Sequence, residues 1–197
     1  LNGVGELTIV QGEAESLTIE AESNIVRRIK TDVQGSTLTI EFSEGLLGKV
    51  IPTEPIRYQL SVKDITGLAL SGAGRIYSSR LATSELEIDV SGVGDVIIDD
   101  LQAGSLSVNL NGAGTIDLAG SVSDQDVELT TVGNYSAAGL QSQRASIRLS
   151  GAGTATLLVI ESLQVEISGV GSVNYYGNPN VTSKISGLGK LNYLGKP

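Results

Sequence analysis

From Leu68 onward the chain alternates apolar and polar residues in short segments, and each segment predicts a half-buried β-strand. One apolar column reads Leu68, Ile88, Val108, Val127, Ile147, Val165 and Ser183, and a second, two residues on, reads Leu70, Val90, Leu110, Leu129, Leu149, Ile167 and Ile185. The residues between them (Ala69, Asp89, Asn109, Glu128, Arg148, Glu166, Lys184) are mostly polar and point outward. Each pair of apolar positions runs into a Gly-x-Gly tripeptide, after which alternation resumes with Ile76, Val96, Ile116, Tyr135, Ala155, Val173 and Leu191 inward.

The tripeptide carries a small polar residue in front: Ser71-Gly72-Ala73-Gly74, Ser91-Gly92-Val93-Gly94, Asn111-Gly112-Ala113-Gly114, Ser150-Gly151-Ala152-Gly153, Ser168-Gly169-Val170-Gly171 and Ser186-Gly187-Leu188-Gly189. A worn copy, Thr130-Thr131-Val132-Gly133, fills the one gap, so successive copies lie 20, 20, 19, 20, 18 and 18 residues apart. An eighth copy, Asn2-Gly3-Val4-Gly5, stands 69 residues before the first of these. The residue between the glycines is apolar and is expected inward, three residues from its inward neighbours on either side. That step breaks the period of two and places a bend at each tripeptide, with Thr131 the strained or rebuilt corner.

A chain that bends and returns in register after one repeat stacks each strand on its counterpart in parallel, about 4.8 Å away. The expected fold is therefore all-β: a right-handed parallel β-helix, or single-stranded β-solenoid, with about 18–20 residues per coil, its hand taken from the general rule for parallel crossovers. Ser71, Ser91, Asn111, Thr130, Ser150, Ser168 and Ser186 then form a polar ladder without any base to make nucleophiles of the hydroxyls. We expect one domain over 1–197, with irregular coils in 1–66 and regular ones in 67–197; a separate small β-domain at the N-terminus is the alternative. Strands are expected at Leu7–Val10, Leu17–Glu20, Leu38–Phe42 and Tyr58–Val62, with an excursion over Ser43–Pro55 where Gly45, Gly48, Pro52 and Pro55 cluster. Lys184, Lys190, Lys196 and Pro197 are expected to discourage further strands from pairing onto the C-terminal end.

Composition narrows the chemistry. The 197 residues contain no histidine and no cysteine, which excludes imidazole acid–base work, Ser-His and Cys-His nucleophiles, thiolate metal sites and disulfides. Methionine is also absent, even at position 1, so the sequence is expected to begin downstream of a removed leader or to be a trimmed piece of a longer chain. No apolar run reaches the length of a membrane-spanning helix. The net charge is −9, and ten carboxylates lie between Leu81 and Gln143 without one Lys or Arg. Such a stretch repels nucleic acid and reads as a solvated face, with weak divalent-cation binding as the sharper reading.

The apparent chemical motifs are structural ones. Gly-x-Gly without a third glycine or a following helix is no dinucleotide loop, and only Gly94-Asp95 sets an aspartate directly after the glycine, as every turn of a calcium-binding roll would need. Asp95, Asp99, Asp100 and Asp117 are the carboxylates to weigh for polysaccharide hydrolysis, with Asp95 and Asp117 outward on adjacent coils, but that stretch lacks cations and has Tyr135 as its lone aromatic. Tyr175 and Tyr193 are expected to close the core near one end, and Tyr176 to stand exposed.

The repeated [Ser/Asn]-Gly-[Ala/Val/Leu]-Gly signature, the opening Asn2–Gly12 segment and the Leu38-Thr39-Ile40 strand together resemble the head GIN domain family of auto-transporter adhesins. The resemblance covers essentially the whole chain, Thr131 being a departure at one corner. It implies a parallel β-helix held outside the cytoplasm of Gram-negative bacteria (periplasm, outer membrane or cell surface), often behind a signal peptide or lipid anchor, and it supplies no catalytic, cofactor or metal residues. The expectation is a non-catalytic envelope or surface protein that uses its faces for adhesion or assembly with host or envelope glycans or proteins; the alternative is a glycan-binding or polysaccharide-degrading β-helix.

Overall fold

The computed structural model describes residues 1–42 and 52–196. The chain begins with β1 (Val4–Gln11) and β2 (Ser16–Glu20), then a single helical turn α1 (Ser23–Val26) and the hairpin β3 (Ile29–Gln34) and β4 (Thr37–Phe42). β5 (Arg57–Val62), β6 (Gly67–Leu70), β7 (Ala73–Ser78) and β8 (Leu81–Val90) lead into the longest strands, β9 (Val93–Leu110), β10 (Ala113–Leu129), β11 (Gly133–Leu149) and β12 (Thr154–Ile167). β13 (Ser172–Gly177), β14 (Asn180–Ile185) and β15 (Lys190–Gly195) complete the described chain.

The strands from β6 onward stack in parallel as a β-solenoid of about six turns. The apolar columns of the sequence are the columns of the core. Ile76 aligns with Val96, Val96 with Ile116, Ile116 with Tyr135 and Tyr135 with Ala155, all of them buried. Stacked aliphatic side chains of this kind each contribute roughly 1.5–3 kcal/mol on burial, which holds the coils together without any large aromatic centre. In the last coil the columns lose their cover: Ser183 and Ile185 are exposed and Leu191 is half-buried.

The eighth signature copy finds its place here. β1 inserts between β5 and β7, parallel to both, with Val4 beside Ala73 and Gly5 beside Gly74. The 69-residue separation in sequence is thus one coil step in space. Between β1 and β5 the chain leaves the coil path: β2 runs antiparallel to β5, and β3 and β4 form a separate antiparallel pair. The expected strands at 7–10, 17–20, 38–42 and 58–62 are present, but β2, β3 and β4 are not parallel coils, and the α1 turn was not expected. Only residues 12–15 join β1 to β2 and only residues 35–36 join β3 to β4, connections too short for the full circuit that a parallel return takes, so the chain reverses at each. Most of the expected Ser43–Pro55 excursion lies outside the described residues.

The corner differs from expectation in one respect. The middle residue of the tripeptide points outward, Val93 being 62% and Leu188 81% exposed. Burial alternates without a break from Leu68 through Gly72 and Gly74 to Ile76 and Ser78, so the glycines themselves occupy the inward positions. There is no step of three. The bend arises because two successive inward sites carry no side chain, and the freed space is filled by backbone from the adjacent coil. A Cβ on Gly92 would lie 2.0 Å from the Gly72 carbonyl oxygen, and one on Gly112 1.9 Å from that of Gly92. At Gly92 and Gly112 close approach between coils dictates glycine, while the second glycines Gly5, Gly94 and Gly114 combine such an approach with positive φ values of 138°, 158° and 155°.

Thr131 is a rebuilt corner. Elsewhere the N–H of the first glycine bonds the carbonyl two residues before the preceding coil's tripeptide glycine, as Gly112 does to Val90, and the middle N–H bonds that coil's first glycine, as Ala113 does to Gly92. At the worn copy only Thr130 keeps its backbone bond, to Leu110, and the Thr131 hydroxyl donates instead to the Gly112 carbonyl. The side chain thereby takes the acceptor that the Val132 N–H would have used, and no non-glycine residue among those described needs a positive φ.

An apolar ridge results from the outward middle residues. Val4, Ala73, Val93, Ala113, Val132, Ala152, Val170 and Leu188 follow one another from coil to coil along one corner of the rod.

Candidate functional site

The segments that precede each corner form one long face of the rod, built from β8 and the latter parts of β9 to β12, with β14 at its end. Inward side chains on these segments (Leu86, Leu106, Ala145, Leu163) fix the register, and the period of two then turns every other residue outward. Two outward columns result. Glu85, Ser105, Asp124, Arg144, Ser162 and Asn180 are neighbours coil by coil, and so are Glu87, Ser107, Asp126, Ser146, Gln164 and Thr182. They line an open concavity of about 980 Å³. Its surface is a grid of hydroxyls, amides and carboxylates, spaced about 4.8 Å along the rod and about 6.6 Å across it.

Charge on this face is balanced between coils. Arg144 holds Asp124 through two hydrogen bonds of 2.7 and 2.8 Å and lies 3.7 Å from Glu161. The hydrogen bond to Asp124 raises the guanidinium pKa further, with smaller support from the charges of Asp124 and Glu161. Arg148 reaches Asp126 at 3.3 Å, and Lys184 reaches Glu166 at 2.9 Å, whose carboxyl it holds below the usual range. These groups are about half exposed, and Lys184 more so, where solvent screens an ion pair and side-chain ordering offsets most of its gain. Arg144→Ala is accordingly expected to leave the chemical-denaturation midpoint within error of the unsubstituted protein, a result urea unfolding followed by circular dichroism checks.

The carboxylates weighed from sequence lie outside this concavity. Asp95 pairs with Arg75 at 3.5 Å and accepts the Thr115 backbone N–H at 3.2 Å. Asp100 pairs with Arg80 at 3.5 Å and accepts from Gln102, while Asp99 accepts the Tyr77 hydroxyl at 2.7 Å, which pushes that phenol's pKa up. Asp117 is exposed and stands beside Ile97, two residues along the strand from Asp95. The acidic stretch with no cation of its own is therefore served by arginines that lie just before and just after it, each about twenty residues from the carboxylate that coil stacking brings alongside. Tyr175 packs against the core and meets Tyr193 at a ring-centroid distance of 5.3 Å, tilted by 42°. Tyr193 is half exposed, so it lies over the end of the core more than in it, and Tyr176 is only partly exposed. Two rungs of the polar ladder carry side-chain hydrogen bonds, Ser71 to Asn2 and Thr130 to Asn111.

Comparison with known proteins fits this geometry. Residues 1–179 match the family described as "Putative auto-transporter adhesin, head GIN domain". The chain belongs to that family. A solved structure of the same build is the putative adhesin of Bacteroides fragilis NCTC 9343, 25% identical, with a TM-score of 0.89 over 98% of this chain and 89% of that one. The putative adhesin of Parabacteroides merdae ATCC 43184 is 23% identical (TM-score 0.71), and a protein of Parabacteroides distasonis ATCC 8503 described as a putative lipid binding protein is 21% identical (TM-score 0.73). Each covers 98% of this chain and is itself covered over 89%, and both share its fold. No curated protein sequence matches the chain.

The two outward columns escaped the sequence reading. They stand seven and five residues before the first glycine of each corner, in the same alignment that exposed the core positions. Extending that alignment backward finds them.

Proposed function

We propose that this head GIN domain is a non-catalytic adhesive module of the cell envelope or surface, and that it binds through the polar face of β8 to β14. The observation that carries this reading is the shape of that face: the large concavity is an open grid of hydrogen-bonding side chains that repeats along the rod. A repeating grid suits an extended polar ligand, a glycan or a strand of protein, which gains affinity by many equivalent contacts. The family's adhesin description and the similar solved adhesin support it, and an extracytoplasmic location accompanies it.

Placing Ser107→Arg and Ser146→Arg in one chain tests the face directly, because both side chains project from it and neither is buried. Fluorescently labelled protein is expected to bind envelope preparations or immobilised host glycoproteins, and the double variant to lose at least about tenfold in affinity. Equal binding by the two proteins would move the adhesive surface elsewhere. Unchanged, null hydrolysis of a polysaccharide panel by both, against turnover abolished by Asp95→Asn with Asp117→Asn, separates adhesion from the enzymatic alternative.

A further inference from the structure

The apolar ridge along the corners alternates in size. Read from the N-terminal coil it runs Val4, Ala73, Val93, Ala113, Val132, Ala152, Val170, Leu188: large and small side chains take turns for seven positions, and a large one ends the row. Nothing in the fold requires this, because these residues point outward while the glycines on either side make the corner. The small members leave real depressions. One of about 420 Å³ surrounds Ala152 between Val132 and Val170, floored by Gly133, Gly153 and Gly171. Another of about 410 Å³ lies at the N-terminal end of the ridge, between Val4, Ala73 and Gly74 on one side and Pro52, Pro55 and Ile56 on the other.

We propose that this ridge is a self-complementary interface, and that its occupant is the ridge of a second copy of the chain, running antiparallel about a two-fold axis. Reversing the eight positions against themselves sets Val93 opposite Ala152, Val170 opposite Ala73 and Val132 opposite Ala113, each twice by symmetry, with Val4 opposite Leu188 at both ends. Every large side chain of the middle six meets a small one. A parallel two-fold arrangement sets Val on Val and Ala on Ala, leaving the depressions empty.

Charge favours the same arrangement. Beside the ridge runs a second column, Glu6, Arg75, Asp95, Thr115 and onward to Lys190 in the last coil. Antiparallel reversal brings the exposed Glu6 of each copy to the exposed Lys190 of the other, and among the described residues neither has an ion-pair partner within its own chain. Arg75 and Asp95, already paired with each other, meet Ser172 and Thr154, so no like charges face one another. The strip is about 34 Å long by the ordinary spacing of stacked strands, and one side-chain row with its flanks wide. That is less than the ~800 Å² per partner of a stable interface, so the dimer is a weak one, formed at micromolar or higher concentration or when neighbouring copies are held on one surface.

The chain has no cysteine, so single cysteines report the register without interference. Positions 93 and 152 are three coils apart within one chain, roughly 14 Å, too far for an internal disulfide. Mixing Val93→Cys protein with Ala152→Cys protein under mild oxidation is expected to yield the mixed dimer in clear excess over either self-linked dimer. In sedimentation runs up to about 100 μM, Ala152→Val is expected to weaken association at least about tenfold by setting Val on Val, and Val93→Ala in the same chain to restore it. Lys190→Glu is expected to weaken it too, with recovery on adding Glu6→Lys. A strictly monomeric protein over that range, a self-linked Val93→Cys dimer in excess, or an Ala152→Val effect that Val93→Ala does not reverse would each overturn the proposal.

Discussion

Gly92→Ala is expected to destabilise the rod by about 4 kcal/mol or more, enough to unfold it at moderate temperature, although it adds a single methyl group. The added carbon would sit 2.0 Å from the Gly72 carbonyl oxygen, about 1 Å inside any tolerable contact. Relief requires the two coils to separate, yet that carbonyl accepts the Val93 N–H at 2.9 Å and the Gly92 N–H is bound to Leu70 at 3.0 Å. Spreading the corner therefore loses backbone hydrogen bonds as well as packing, and the same constraint applies one coil further on at Gly112. The adjacent substitution Val93→Ser, in dilute solution, is expected to change stability by no more than about 0.5 kcal/mol, since that side chain points to solvent. Urea denaturation of the two variants side by side decides the matter. A stable Gly92→Ala protein beside an unfolded Val93→Ser protein would mean that the corner is built the other way round.

At this corner the residue pattern ceases to indicate which side chains face inward. The columns led by Leu68, Leu70 and Ile76 were legible because aliphatic side chains recur at a period of two, and the coil length was legible because the glycine pairs recur at 18 to 20 residues. The outward orientation of Val93 and its equivalents is not legible, because an apolar side chain suggests burial, whereas a glycine can be inward with nothing to show for it. The insertion of β1 between β5 and β7 is foreshadowed by Asn2-Gly3-Val4-Gly5, but the antiparallel course of β2 to β4 is not, since an alternating strand looks alike in either direction. The polar face was invisible for a different reason. Its charges are assembled from residues about twenty apart, so a window reading Leu81–Gln143 as uniformly acidic does not show Arg144 closing on Asp124, or Arg148 on Asp126. The ridge was present in the same alignment, as an alternation of Val and Ala that acquires meaning only once those residues are known to face outward.

The second large effect lies inside the core, at a polar cluster with no counterpart in the other coils among the described residues. Gln125 falls in the column of Leu86, Leu106, Ala145 and Leu163, fully buried, and its amide is held on both sides. The Tyr135 hydroxyl donates to Gln125 Oε1 at 2.8 Å, Gln125 Nε2 donates to Ser142 Oγ at 2.7 Å, and Ser142 Oγ donates to the Leu158 carbonyl at 3.0 Å. Tyr135 reaches this position because its column neighbour on the next coil is only Ala155. Gln125→Leu strands the tyrosine hydroxyl in apolar surroundings and is expected to cost about 2–3 kcal/mol; Tyr135→Phe strands the amide oxygen at a similar cost. The double variant, with neither group left to satisfy, is expected to be more stable than the sum of the two losses by at least about 1 kcal/mol, whereas strict additivity would show that the two side chains do not act as a unit. Burial also pushes the Tyr135 phenol far above its ordinary pKa of 10.0 and that of Tyr58 up to about 12. Both raised values mean that the folded chain keeps protons the unfolded chain releases, so the titration of these phenols leaves stability independent of pH below about 10, and stability falls as pH rises from 10 toward 12 and beyond. Tyr135→Phe is therefore expected to lower stability at pH 7 yet flatten its alkaline decline, a pairing of effects that loss of packing alone would not produce.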